Sequence, residues 1–189
     1  MKLGIDCDGV LRNFTGKLIE VYKREYPNHK CPNNDNDFYT FSLSPLFELG
    51  NGIYDFTFRQ HAKEIYTEAK PYKNASNFVR ELKKLGHNIF IVTSQPNDIC
   101  KESTLKWIEK NKIFNEGIIF SDNKGEVSVD ILLDDYDKNL NSFKNAGKIP
   151  ICFHRPWNLN WDGIRIKNYD EFIKTINILE NNINGSRKN

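Results

Sequence analysis

The spacing of apolar positions changes character along the chain. Lys2-Leu3-Gly4-Ile5 is a short apolar run that predicts a buried strand. Over 14–26 the period lengthens to that of a helix, with Phe14, Leu18, Val21 and Tyr22 on one face and Pro27 closing it. Periodicity then disappears. Residues 29–37 are polar, with Pro32 and a run of Asn and Asp, and read as a loop. An aromatic stretch follows: Phe38, Tyr39, Phe41, Phe47, Tyr54, Phe56 and Phe58. Short helices alternating with loops are expected there, the clearest over 58–69. The β-branched runs of a parallel sheet are missing, so 12–72 reads as a helical insertion.

Past Pro71 the pattern becomes a regular alternation. A helix is predicted over 75–85, with Phe78, Leu82 and Leu85 inward and Gly86 ending it. Strands are predicted over 88–92, 117–120, 129–133 and 150–153, and further helices over 98–110, 138–146 and 169–181. Strands separated by helices imply right-handed crossovers and a parallel sheet. The expectation is an α/β fold: a Rossmann-like parallel sheet of five strands with helices on both faces. Its core would comprise 1–11 and 73–189, interrupted by a helical cap over 12–72. The polar residues 184–189 are expected to fray.

Composition adds limits rather than detail. At 189 residues the chain suits one domain with a small insertion, and 39% hydrophobic with 28% charged residues is ordinary for a soluble protein. A net charge of +2 and no basic stretch argue against a stable nucleic-acid complex. No apolar run is long enough to span a membrane and the N-terminus does not read as a signal peptide. The four cysteines (Cys7, Cys31, Cys100, Cys152) are scattered without a C-x-x-C pair, so neither disulfides nor zinc are expected and a cytoplasmic setting fits. A homodimer is compatible with the sequence.

Candidate chemistry sits where the strands end. Asp6 and Asp8 follow the first strand, Thr93 and Ser94 the second, and Asp134 and Asp135 the fourth. In a parallel sheet these three groups share one edge, the edge at which open α/β sheets build their sites. Turn or cap chemistry explains each cluster separately but not all three together. Four carboxylates on one edge need a cation, and oxygen ligands suit Mg²⁺. Lys124 taken alone reads as a solvated loop lysine, and Phe14 as a core residue.

These residues resemble a known family. D-x-D-G-V-L, a strand ending in T-S, a lysine, and a strand ending in D-D form the pattern of the haloacid dehalogenase-like phosphatases. The detailed resemblance is to the 5′(3′)-deoxyribonucleotidases. It extends to Asn13-Phe14 and to Asn123-Lys124-Gly125-Glu126-Val127 leading into Asp134-Asp135. One departure is that the family's T-S-P reads Thr93-Ser94-Gln95-Pro96 here. The resemblance implies Asp6 as nucleophile, Asp8 as general acid and base, and Lys124 as the neutralising cation. It implies Thr93 and Ser94 as phosphate-binding residues. Mg²⁺ would be held by Asp6, the Asp8 carbonyl and Asp135, with Asp134 in the outer shell. Phe14 would line the base pocket. The loop Arg155-Pro156-Trp157-Asn158 resembles loops of bacterial and phage relatives and would lie near the mouth, with Trp157 either closing it or touching substrate.

The function so implied is Mg²⁺-dependent hydrolysis of (deoxy)nucleoside monophosphates through an aspartyl phosphate. Two other readings stand beside it. One keeps the chemistry and changes the substrate to a sugar phosphate or a polynucleotide end. The other is a non-catalytic nucleotide-binding protein, which would be expected to have lost Asp6, Asp8 or Lys124.

Overall fold

The computed structural model describes residues 1–186, with side chains described to residue 182. Six strands form one sheet: β1 (Lys2–Ile5), β2 (Asn88–Thr93), β3 (Gly117–Phe120), β4 (Ile131–Asp134), β5 (Ile149–Phe153) and β6 (Arg165–Ile166). Their order is β3-β2-β1-β4-β5-β6 and every pairing is parallel. All strand C-termini therefore lie on one edge, as the alternation in the sequence requires. The expected five strands become six. Arg165–Ile166 is a two-residue strand in a polar loop, too short to show a period, and it pairs with Cys152–Phe153.

Period-two alternation sorts the side chains onto two faces. Leu3, Ile5, Ile89, Ile91, Ile131, Leu133, Ile151 and Phe153 join one buried cluster. That face is covered by residues of three helices: Phe78 and Leu82 of α4 (Ala75–Lys84), Trp107 of α5 (Asp98–Lys110), and Phe172 and Ile176 of α7 (Tyr169–Ser186). Val92 and Leu132 point the other way and pack with Phe143 of α6 (Asp137–Asn145), while Cys152 packs with Leu140 of the same helix. Burying a Leu or Phe in such a cluster is worth about 1.5–3 kcal/mol. Leu85, expected inward, is 46% exposed, because α4 ends at Lys84 and the chain turns at Gly86 in the left-handed region (φ 89°). The backbone of α7 runs through 184–186, and 187–189 lie outside the described residues.

Between Asn13 and Lys70 the chain leaves the sheet edge and returns. α1 (Phe14–Glu25), α2 (Gly52–Asp55), α3 (Ala62–Glu68) and the turns between them carry a second cluster built on Leu18, Tyr22, Phe38, Phe47, Ile53, Phe56 and Ile65. The helix expected over 58–69 is interrupted: a π-type turn over Phe56–Gln60 ends at His61 before α3 begins. The two passages are paired. Tyr72 N–H donates to the Leu11 carbonyl at 2.8 Å, Asn13 N–H to the Lys70 carbonyl at 2.9 Å, and Arg12 bridges Pro71 antiparallel. Among the described residues no helix is long and apolar enough to cross a membrane.

Candidate active site

β1 ends at Ile5, and the Asp6 N–H still donates to the Leu133 carbonyl of β4 at 2.9 Å, which ties this carboxylate to the sheet edge. The chain then turns tightly, with Gly9 in the left-handed region (φ 73°). A side chain there is excluded twice over, since a Cβ would lie 1.8 Å from Asp135 Oδ2. The turn thus sets the first aspartate pair directly against the second.

The sheet edge gathers the predicted charges as the strand order dictates. Lys124, on a short 3₁₀ turn over Lys124–Glu126, is 1% exposed and lies between two carboxylates. Its Nζ is 2.6 Å from Asp6 Oδ1 and 2.6 Å from Asp134 Oδ2. A lysine reading as solvated in isolation is therefore a buried structural cation. Burial opposes its charge, and Asp134 and Asp6 outweigh that and hold the ammonium protonated. Asp6 is pushed up to about 7, first by burial; Lys124 opposes this, while Asp134 and Asp8 add to it. Asp135 is raised well above the ordinary carboxylate range, by burial and then by Asp6.

The two C-terminal carboxylates differ in their partners. Asp134 accepts from Lys124, from Tyr136 N–H at 2.8 Å and from Asn139 Nδ2 at 3.1 and 3.3 Å, so both its oxygens are occupied. The Asp135 carboxylate accepts no hydrogen bond from the described residues, although it is buried. Asp6, Asp134 and Asp135 offer oxygens that all lie within 4.8 Å of one another. Three hard oxygen donors, one of them unpaired and two pushed upward by burial and then by neighbouring carboxylates, fit a divalent cation.

Asp8 lies beside this cluster with its carboxylate gripped by Arg12 and a third donor, Gln95 Nε2, at 3.1 Å. Gln95 Nε2 also donates to Thr93 Oγ1 at 2.9 Å, which occupies an acceptor site of that hydroxyl and leaves its proton to point elsewhere. Ser94 lines the same cavity, but its hydroxyl donates to the Ser121 carbonyl at 2.6 Å. Cys7 is fully buried and burial pushes its thiol upward, consistent with a packing residue.

Above the carboxylates opens a cavity of about 840 Å³. Asp6, Asp8, Thr93, Lys124 and Asp135 line it from the sheet edge, and Phe14, Phe38, Phe41, Tyr54, Phe58 and Tyr66 from the segment between Asn13 and Lys70. Phe14 is half-buried, its ring 5.2 Å from that of Tyr66 and edge-on to it. Phe41 stacks on Tyr136 at 3.7 Å and 11°, joining the aromatic segment to the residue after Asp135. Trp157 also lines the cavity; its Nε1 donates to the Asp135 carbonyl at 3.2 Å and its ring packs edge-on against Phe38.

Arg12, Gln95 and Asn139 hold the carboxylates of the site without a local pattern that marks them for that role. Arg12 carried a signal, a charge flanked by Val10, Leu11 and Phe14 and placed four residues after Asp8. Gln95 carried only the extra residue in T-S-Q-P. Asn139 looks like any polar residue on an exposed helix face.

Comparison with known proteins places this geometry. A family model described as 5′ nucleotidase, deoxy (pyrimidine), cytosolic type C protein matches residues 1–181. The chain belongs to that family. Among curated relatives, a 5′(3′)-deoxyribonucleotidase of Clostridium acetobutylicum is 30% identical over 144 residues, covering 75% of this chain and 77% of the relative. The human mitochondrial 5′(3′)-deoxyribonucleotidase is 27% identical over 147 residues, covering 71% and 62%. Solved structures share the fold at lower identity. A haloacid dehalogenase-like hydrolase from Streptococcus pneumoniae superposes with a TM-score of 0.68 at 13% identity, over 93% of this chain and 97% of that one. A magnesium-bound hydrolase of the same superfamily from Bacillus subtilis gives 0.63 at 12%, over 93% and 98%. The chain is thus an enzyme of the 5′-nucleotidase family, built on the fold that these haloacid dehalogenase-like hydrolases share.

Proposed function

We propose that this nucleotidase hydrolyses (deoxy)nucleoside monophosphates with Mg²⁺ through an aspartyl phosphate on Asp6. The observation that carries the reading is the buried Asp6 carboxylate, one oxygen held by Lys124 and the residue lining a cavity walled by aromatic rings. Asp6 attacks phosphorus, and Asp8 gives a proton to the departing sugar oxygen. Water then attacks the same phosphorus, Asp8 takes its proton, and Asp6 leaves as a carboxylate. Lys124 offsets the negative charge of Asp6 and of the phosphoryl group throughout. The Thr93 hydroxyl, its acceptor site taken by Gln95, donates to a phosphoryl oxygen, and Ser94 lies beside it. Asp6, the Asp8 carbonyl and Asp135 would hold Mg²⁺, with Asp134 one shell outside because its oxygens are already engaged. A bound Mg²⁺ supplies positive charge to the phosphoryl oxygens and fixes their orientation.

The segment 12–72 acts as a cap that excludes water and presents Phe14 and its neighbouring rings to the base. Rings of this kind suit a planar base better than a sugar phosphate. Cys7, Cys31, Cys100 and Cys152 are all free thiols, which suits work in the cytoplasm.

The test is turnover of a panel of nucleoside monophosphates by wild type and Asp6→Asn, with Mg²⁺ and in EDTA. Wild type should need the metal, and the isosteric variant should fall below a few per cent while keeping its fold. Retained turnover in Asp6→Asn would sink the covalent mechanism, and full activity in EDTA the metal requirement.

A further inference from the structure

Arg12 is completely buried, and each of its three nitrogens is engaged. Nε donates to Asp8 Oδ1 at 2.6 Å and Nη2 to Asp8 Oδ2 at 2.8 Å, a two-pronged grip that fixes the plane of the carboxylate. Nη2 also donates to Thr104 Oγ1 on α5 at 3.1 Å, and Nη1 to the Tyr66 carbonyl on α3 at 3.1 Å. The guanidinium lies 4.7 Å from the centroid of the Tyr66 ring and 5.3 Å from that of Trp107. The residue itself sits in the paired passage between sheet and segment, bridged to Pro71. One cation therefore joins a helix that covers the sheet, a helix of the aromatic segment, and Asp8.

A purely mechanical joint does not call for this. Apolar side chains of equal volume often hold two elements as well as a buried ion pair, or better, because they avoid desolvating charge. What they cannot do is set the orientation of a carboxylate. Asp8 retains 26% side-chain exposure and lines the cavity, so the grip leaves it open to a ligand.

We propose that Arg12 is the positioning residue for Asp8, holding that carboxyl group at the leaving-group side from anchors on both α3 and α5. The inference rests on the phosphatase reading above. In the step concerned, the Asp6–phosphorus bond forms, the phosphorus–oxygen bond of the ester breaks, and the Asp8 proton passes to the departing oxygen. The carboxylate left on Asp8 is the partner the guanidinium fork matches. A misplaced Asp8 harms only esters whose leaving oxygen needs the proton. A sugar alkoxide needs it, whereas p-nitrophenolate departs without one. The ratio kcat/KM covers phosphoryl transfer to Asp6 and no later step, so it isolates this proton.

The experiment compares kcat/KM for a deoxynucleoside monophosphate and for p-nitrophenyl phosphate in Arg12→Lys and Thr104→Val. Lysine keeps the charge but loses the fork, and valine removes one anchor at constant shape without touching Asp8. General acids contribute about 10²–10⁴-fold, so Arg12→Lys should lose about 30-fold or more on the nucleotide and less than about threefold on the aryl ester. Thr104→Val should shift in the same direction by about threefold to tenfold, a fraction of the full general-acid contribution. It keeps the question decidable if Arg12→Lys does not fold. Added to Asp8→Asn, Arg12→Lys should bring no further loss specific to the nucleotide.

Equal losses on both esters, or none, in an active protein would overturn the role of Arg12. So would a further nucleotide-specific loss in the double variant. Wild-type protein that hydrolyses neither ester would instead overturn the phosphatase reading, and this inference with it.

Discussion

Replacing Lys124 by Met removes the one ammonium that lies between Asp6 and Asp134, each 2.6 Å away. The side chain is 1% exposed, and Met fills its place without supplying a donor. Leaving a buried charge without its partner costs about 3–5 kcal/mol. For a domain of this size 1 kcal/mol moves Tm by about 2–4 °C, which gives a fall of about 6–20 °C. The cost should settle mainly on Asp6, because Asp134 keeps Tyr136 N–H and Asn139. Adding Asp134→Asn to Lys124→Met removes one of the two facing carboxylates and should recover part of the loss rather than deepen it. Turnover should fall by at least the ~10²–10³-fold typical of losing one charge-stabilising donor. The assay is thermal unfolding in EDTA at pH 7.5, followed by kcat in Mg²⁺. A Tm within a degree of wild type, or a double variant as unstable as the two single losses summed, would refute the account.

Stacking on an aromatic ring is worth about 1–3 kcal/mol per base, so Phe14→Ala should lower kcat/KM for a nucleotide by about 5–150-fold. The loss on ribose 5-phosphate, which has no base, should be much smaller; equal losses would make Phe14 a packing residue only. His87 is 1% exposed, neither ring nitrogen has a hydrogen-bond partner among the described residues, and burial lowers its pKa against partial opposition from Glu180. A depressed folded pKa means that the stability His87 contributes is complete above its unfolded value of 6.5 and is lost as pH falls below it. Tm measured from pH 7.5 to 5 should therefore drop less in His87→Leu than in wild type, and parallel curves would remove His87 as the source.

Elements with a strong local signal were legible in the sequence. α5 and β3 occupy the residues expected, α5 because Asn97 caps it through the Cys100 N–H and β3 because Gly117–Phe120 is a compact apolar run. Clustering of Asp6, Asp134 and Asp135 followed from strand polarity, since parallel strands put all C-termini together, whereas Lys124, on a turn beyond β3, was marked only by the family resemblance. Local pattern fails where the decisive contact is distant. The break at His61 and the two-residue β6 have no period to reveal them. Arg12 acquires its meaning only from Tyr66, 54 residues on, and Thr104, 92 residues on. Ser94 shows the opposite failure: the residue is where the pattern puts it, but its hydroxyl turns to the Ser121 carbonyl.

The pairing of Leu11 with Tyr72 and of Asn13 with Lys70 fixes the exit and return of the chain side by side. To the sheet, whatever lies between those two points is a loop whose ends never move apart. Lengthening such a loop costs only logarithmically, about 0.6 kcal/mol per doubling. The intervening stretch can accordingly be swapped, enlarged or pared back with little strain on the carboxylates beneath it. On the function proposed above, substrate range and bond-breaking chemistry would thereby be uncoupled and free to drift at different speeds. Arg12 is a rivet through both parts, as are the contacts of Phe41 with Tyr136 and Phe38 with Trp157, and it limits which replacements would still leave Asp8 correctly aimed.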